Sequence, residues 1–235
     1  MNFLIQNARW LIATASLYFC SCFGQTFFIS LFAGEIRQTF DLSHGDWGFI
    51  YSGGTLASAI AMLIFGGYID KYKITLNIKI VIISLSLLCL SMTFVSIVWL
   101  LPFIIFGLRF FGQGMLTHIP AVAIGKWYGK NKGKALSISI MGFSIGEAIF
   151  PIIFVSLFAI IGWRNSWIIG MIILLLILPI ILNLLSNERT PNSKQENITN
   201  QLGMNDKHWT RKEVLNNWLF WAIIVPFLIP PIFST

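Results

Sequence analysis

Between Pro102 and Pro151 two long apolar runs are separated only by a short basic loop, and each run holds one ionisable residue, Arg109 in the first and Glu147 in the second. About 20 apolar residues are enough for a helix to cross a bilayer. A charge at that depth costs roughly 2.5–3.5 kcal/mol on insertion scales, so it faces a bundle interior, a partner or a ligand. This stretch dictates a membrane protein with a polar interior.

The remainder of the chain agrees. Of its 235 residues 56% are hydrophobic and 11% charged, against about 25% charged in a soluble domain. The apolar residues fall in continuous runs, not in the alternating strands of about 10 residues that a membrane barrel needs. The fold class expected is all-α, a polytopic membrane bundle of six transmembrane helices plus the start of a seventh. The net charge of +7 does not indicate nucleic acid, because the basic residues sit in short loops between apolar runs. Cys20, Cys22 and Cys89 lie within apolar runs and read as packing residues. No cofactor and no metal are expected, and nothing resembles a nucleophile with its base or a phosphate loop, so the chain does not read as an enzyme. Arg9 precedes a first apolar run too long for a signal peptide.

Span 1 covers Trp10–Phe32, interrupted past its middle by Gly24 and Gln25. Thr14, Tyr18, Ser21 and Gln25 share one face at helical spacing, which leaves cavity lining and interhelical hydrogen bonding both open. A loop, 33–46, follows, with a capped turn at Asp41–Gly45. Span 2, Trp47–Ile69, is rich in small residues, and Gly53, Ala57 and Ala61 follow a small-xxx-small rule for close helix packing. Span 3, Ile80–Leu100, is almost uniformly aliphatic and is expected to be the most lipid-exposed. Span 4 runs from Pro102 to Lys126, span 5 from Ala135 to Ile161, and span 6 to Leu185 after a tight turn at 162–167.

The expected domains are a six-helix bundle (1–185), a polar cytoplasmic linker (186–217), whose 209–218 portion reads as an interfacial helix, and a short seventh apolar segment (218–235) carrying Pro226, Pro230 and Pro231. Thirteen Lys and Arg residues fall at the N-terminus, after span 2, after span 4 and after span 6. Only Arg37 and Arg164 fall in the other loops. By the positive-inside rule the N-terminus is cytoplasmic, in a membrane expected to be the bacterial inner membrane.

Several short patterns carry a resemblance. Gly66, Asp70 and Lys71 follow span 2, with Lys73 and Ile74 at the next two expected motif positions. Span 4 holds Arg109-Phe-Phe-Gly112-Gln113-Gly114, and span 5 holds Gly142-x-x-x-Gly146-Glu147 followed by Pro151. Together with six spans and a polar linker they resemble the N-terminal half of a major facilitator superfamily transporter. That family's span 2 loop reads G-x-x-x-D-[RK]-x-G-[RK], a gating motif matched by Gly66, Asp70 and Lys71. Its span 4 often reads R-x-x-Q-G, and Arg109 matches the arginine linked to coupling or substrate charge, with Gly and Gln exchanged. Span 5 is similar to the glycine motif of family antiporters, with Glu147 at the usual proline. Phe23-Gly24-Gln25 in span 1 echoes Phe111-Gly112-Gln113 in span 4, as nested inverted repeats imply. A run of smaller matches is distantly similar to a bacterial branch near the monocarboxylate carriers.

The resemblance implies a secondary active transporter working by alternating access, with a small solute, an organic anion being favoured, and a proton or other ion as coupling partner. Candidate substrate and coupling residues are Arg109, Glu147, Gln113, Gln25, Tyr18 and His118, with Arg109 and Glu147 expected at similar depth and within pairing distance. Gly53, Ala57, Gly142 and Gly146 are the candidate packing positions. Besides the bilayer, the expected partner is a missing C-terminal half or a second copy, since the seventh apolar segment is too short to span. The rival reading is a six-span accessory or assembly subunit with no transport of its own.

Overall fold

The computed structural model describes residues 2–187 and 211–224, which fall into two compact units, 1–190 and 191–235. Among the described residues there is no strand. Five apolar helical stretches are long enough to cross a membrane, and the longest, Val98–Ile161, is itself two helices folded at a turn.

In the first unit α1 (Asn2–Ser21) runs into a 3-10 turn, Cys22–Gly24, and breaks at Gln25, whose backbone is extended (φ −83°, ψ 155°). The rod resumes as α2 (Thr26–Ser30). The break falls at the Gly-Gln pair that interrupts the apolar run, and it strips α1's last carbonyls of their helical donors. The segment expected as a loop after span 1 holds a further helix, α3 (Ala33–Phe40), ended by Asp41 in the left-handed region (φ 52°). A capping box then starts α4 (His44–Phe65): Ser43 Oγ accepts from the Asp46 amide at 3.1 Å, and Asp46 accepts from the Ser43 amide at 3.1 Å.

A 3-10 turn, Gly66–Lys71, follows α4 and is held by Asn77 Nδ2 donating to Ile69 O at 3.1 Å. Next come α5 (Ile74–Phe94) and then one long rod made of α6 (Leu101–Gly107), a π-helical segment (Leu108–Met115) and α7 (Leu116–Tyr128). Pro102 sits in the first turn of α6, where its missing N–H costs nothing. Gly129, at φ 44°, reverses the chain into α8 (Lys132–Ile161), and Gly162, at φ 82°, reverses it into α9 (Trp163–Leu184). Both positions demand a conformation that costs other residues steric strain.

The bundle closes on aromatic packing. Phe23, Phe28, Phe32, Phe150, Phe154 and Trp167 form a continuous set of ring contacts joining the α1–α2 break to α8 and α9, with centroids 4.8–6.5 Å apart. Two arginines tie the rod ends. Arg9 donates to the Leu184 carbonyl, to Asn183 O at 2.6 Å and to Ser186 Oγ at 2.7 Å, capping α9. Arg164 donates to Thr93 O at 3.0 Å and Val95 O at 2.5 Å, capping α5 at the other end.

Two packing expectations are corrected. The close approach on α4 is made by Gly54, where a Cβ would meet Pro102 O at 2.9 Å and Phe106 N at 3.0 Å. Gly53 and Ala57 point outward and are exposed. The two faces differ by one residue, about 100° around a helix. Secondly, α5 is not the most exposed span. Its apolar window is 39% buried, against 17% for α4, because Ile78, Ile82, Leu85 and Cys89 pack into the bundle, chiefly against α9. Gly142 and Gly146 do pack: a Cβ at Gly142 would lie 2.0 Å from Ala15 O, and one at Gly146 2.5 Å from Cys22 Sγ.

In the second unit the description covers α10 (Arg211–Leu215) and a helical stretch at 218–224 begun by Asn217, whose Oδ1 accepts from the Leu219 amide at 2.9 Å. The three prolines of the expected seventh segment lie outside the described residues.

Candidate functional site

The polar interior is built where α1 breaks. Gly24 and Gly112 meet there, so close that a Cβ on Gly24 would stand 2.6 Å from Gly112 Cα and one on Gly112 2.5 Å from Gly24 Cα. Gly112 lies in the π-helical segment, where the wider turn shifts the residue register, a feature that often marks functional sites. Backbone contact at this crossing draws Arg109, three residues earlier, across to the broken rod.

Arg109 is 7% exposed. Its Nη1 donates to Thr26 Oγ1 at 2.8 Å and weakly to the freed Gly24 carbonyl at 3.5 Å, and its guanidinium lies 5.6 Å from the centroid of the Tyr51 ring. Its Nε has no hydrogen-bond partner, and neither do the buried Tyr51 Oη and Thr55 Oγ1, which stand one turn apart on α4. Among the described residues no carboxylate pairs with Arg109. The arrangement is a nearly buried cation with an unspent donor at Nε, a threonine hydroxyl accepting from Nη1 and a tyrosine ring at 5.6 Å: it has the means to bind an anion and no carboxylate partner among the described residues.

The other candidates distribute around this centre. Among the described residues Glu147 and Arg109 form no ion pair: Glu147 is exposed on α8, next to Gly146, while Arg109 Nη1 is engaged by Thr26 Oγ1 at 2.8 Å. Gln25 and Gln113 are half-buried on the two rods that cross, and the Gln113 carbonyl accepts from Thr117 Oγ1 at 2.6 Å. Tyr18 is buried. Thr14 and Ser21 serve packing: Thr14 Oγ1 and Ser139 Oγ share a hydrogen bond of 2.7 Å between α1 and α8, and Ser21 Oγ donates to Tyr18 O at 2.6 Å.

His118 is away from Arg109, with Nε2 3.8 Å from where a Gly66 Cβ would be. It therefore packs α7 on the turn that carries the gating motif. In that turn Lys71 is exposed with its Nζ 4.5 Å from the Tyr68 ring centroid; Asp70 contributes its backbone, and its side chain lies outside the description. Among the described residues no three His, Cys, Asp or Glu side chains converge as metal ligands do.

Reading the sequence alone missed Thr26, Tyr51 and Thr55. The available signal was Tyr51-x-x-x-Thr55, two hydroxyls on one face of an otherwise apolar helix.

A broken first span in backbone contact with a fourth span that carries an intramembrane arginine is the geometry at hand. The family model for the Major Facilitator Superfamily matches residues 14–235. The chain belongs to that superfamily. It is an integral membrane protein of a family of solute transporters. No curated relative matches the chain.

Proposed function

We propose that the chain is the N-terminal half of a secondary active transporter for a small organic anion. The observation that carries this reading is Arg109, nearly buried, unpaired by any described carboxylate, held by Thr26 beside the Tyr51 ring, with its Nε donor unused. Leaving a buried charge uncompensated is costly, and an anion entering the site removes that cost. The guanidinium, planar and permanently charged, holds a carboxylate by two parallel hydrogen bonds. Alternating access follows from rocking of this bundle against a second one, either a C-terminal half reached through the 186–217 linker or a second copy. Gln25 and Gln113, on the two crossing rods, supply further polar contacts. Glu147, on the outer side of α8 in this unit, is the candidate proton carrier, acting apart from Arg109. Tyr18 lines the approach, and His118 with Gly66, Asp70 and Lys71 belongs to gating at the lysine-rich, cytoplasmic end of a bacterial inner-membrane protein.

The test is counterflow in proteoliposomes. Radiolabelled monocarboxylates and neutral solutes of similar size are offered to the reconstituted protein and to Arg109→Gln. The expected result is exchange of at least one carboxylate, none of the neutral solutes, and loss of exchange in the variant. Carboxylate exchange that survives Arg109→Gln overturns the assignment of the site.

A further inference from the structure

A second polar site lies at the lysine-rich end of the bundle, distant in sequence from the Arg109 crossing. The start of α5 and the end of α9 flank an open cavity of about 330 Å³ lined by Lys73, Thr75, Lys79, Leu182, Leu185 and Ser186. Among the described residues its lining holds two ammonium groups and two hydroxyls and no acidic group. Among the described residues neither lysine has an ion-pair partner. Arg9 stands behind it, donating to Ser186 Oγ at 2.7 Å, which adds positive potential and leaves the serine's own proton free to donate.

The depth is that of lipid phosphates. At about 1.5 Å per residue, the 21 residues of α5 match a hydrocarbon core roughly 30 Å thick. Lys79 is exposed in the second turn of α5, a position from which a lysine stem can lie along the helix and carry its ammonium to the boundary. From the cavity two apolar tracks run into the membrane. On α5, Ile83 and Leu87 follow Lys79 at intervals of four residues, 44% and 58% exposed. On α9, Pro179 and Leu175 lead away from Leu182, both exposed.

We propose that this cavity binds the phosphate of an anionic phospholipid headgroup, with the acyl chains lying along Ile83 and Leu87 on α5 and along Leu175 on α9. A headgroup there bridges α5 to α9 and places a phosphate against Lys73 and Lys79. The inference is independent of what Arg109 binds.

The experiment is native mass spectrometry of the detergent-purified chain titrated with phosphatidylglycerol and, separately, phosphatidylcholine. The variants are Lys73→Gln/Lys79→Gln and the conservative Lys73→Arg/Lys79→Arg. Lys130→Gln/Lys132→Gln is the control, removing two exposed lysines at the turn into α8. The expected result is preferential binding of phosphatidylglycerol, weakened roughly fivefold for each of Lys73 and Lys79 removed. The arginine variant keeps that binding, and so does the loop variant. Equal binding of the two lipids, or equal loss in the loop variant, overturns the site. Competition by glycerol phosphate as effective as by phosphatidylglycerol shows a free-phosphate site and overturns the lipid assignment.

Discussion

Gly24 and Gly112 pack backbone on backbone, each leaving no room for a Cβ on the other. They are the middle residues of the two Phe-Gly-Gln triplets, so the repeated motif marks the point where the first and fourth spans cross. The neighbouring atoms are main chain (Leu108 O at 2.1 Å and Gln113 N at 2.9 Å from a Gly24 Cβ) and cannot turn aside as a flexible side chain would. Gly24→Ala and Gly112→Ala are each expected to force the rods apart and to destabilise the protein by about 1–3 kcal/mol, the usual cost of overpacking. Thermal unfolding of the purified variants measures this. Both variants unfolding at the parent temperature would contradict the crossing.

Gly53 and Gly54 separate two rival packing faces. Gly54 lies against the α6 backbone, whereas nothing stands within 4 Å of a Cβ at Gly53. Gly54→Ala is expected to cost about 1–3 kcal/mol through overpacking. Gly53→Ala is expected to be neutral or stabilising by up to about 1 kcal/mol, since alanine gains helix propensity at an open position. The same unfolding measurement decides; the opposite order would restore Gly53-Ala57-Ala61 as the packing face.

These two glycines also show how far the sequence could be read. Apolar length found each described spanning rod, though it set span 3 at 80–100 where α5 runs Ile74–Phe94, and Gly24–Gln25 announced the break in the first. The identity of the packing face on α4 did not follow, because Gly53-Ala57 and Gly54-Ser58 both satisfy a spacing of four and differ only in phase. The burial of α5 did not follow either: lipid tails and neighbouring helices are equally apolar, so hydropathy cannot tell one from the other. At the site, Arg109 stood out by its charge. Its contacts did not, since one is a carbonyl freed by a helix break and the others are neutral hydroxyls on different rods. Matching Arg109 to the opposite charge, Glu147, used depth alone and had no information on direction around the bundle.

Orientation rests on the distribution of lysine and arginine and is open to direct measurement. Lys130 and Asn165 are exposed at opposite ends of α8. The three native cysteines are buried, each at 0% exposure, and should stay silent to a membrane-impermeant thiol reagent. In intact cells Asn165→Cys is expected to label and Lys130→Cys to label only after permeabilisation. The reverse pattern would invert the topology.

The hydroxyl of Tyr51 offers a separation of stability from function. It is buried with no hydrogen-bond partner among the described residues, while its ring lies 5.6 Å from the Arg109 guanidinium. Removing an unsatisfied polar atom spares a desolvation cost and breaks no bond, so Tyr51→Phe is expected to leave stability unchanged or to raise it by about 1 kcal/mol. Its ring, and the contact with Arg109, remain. If the hydroxyl is held free for an anion, its loss removes a hydrogen bond to a charged group, about 1.5–3 kcal/mol, and carboxylate exchange should fall at least tenfold. Thr26→Val provides the contrast, because its hydroxyl already accepts from Arg109 Nη1 at 2.8 Å. That variant is expected to lose stability as well as exchange. Measuring the unfolding temperature and the counterflow rate of both variants tests the pair of expectations. A Tyr51→Phe protein that is destabilised, or that exchanges carboxylate at the parent rate, would remove Tyr51 from the site.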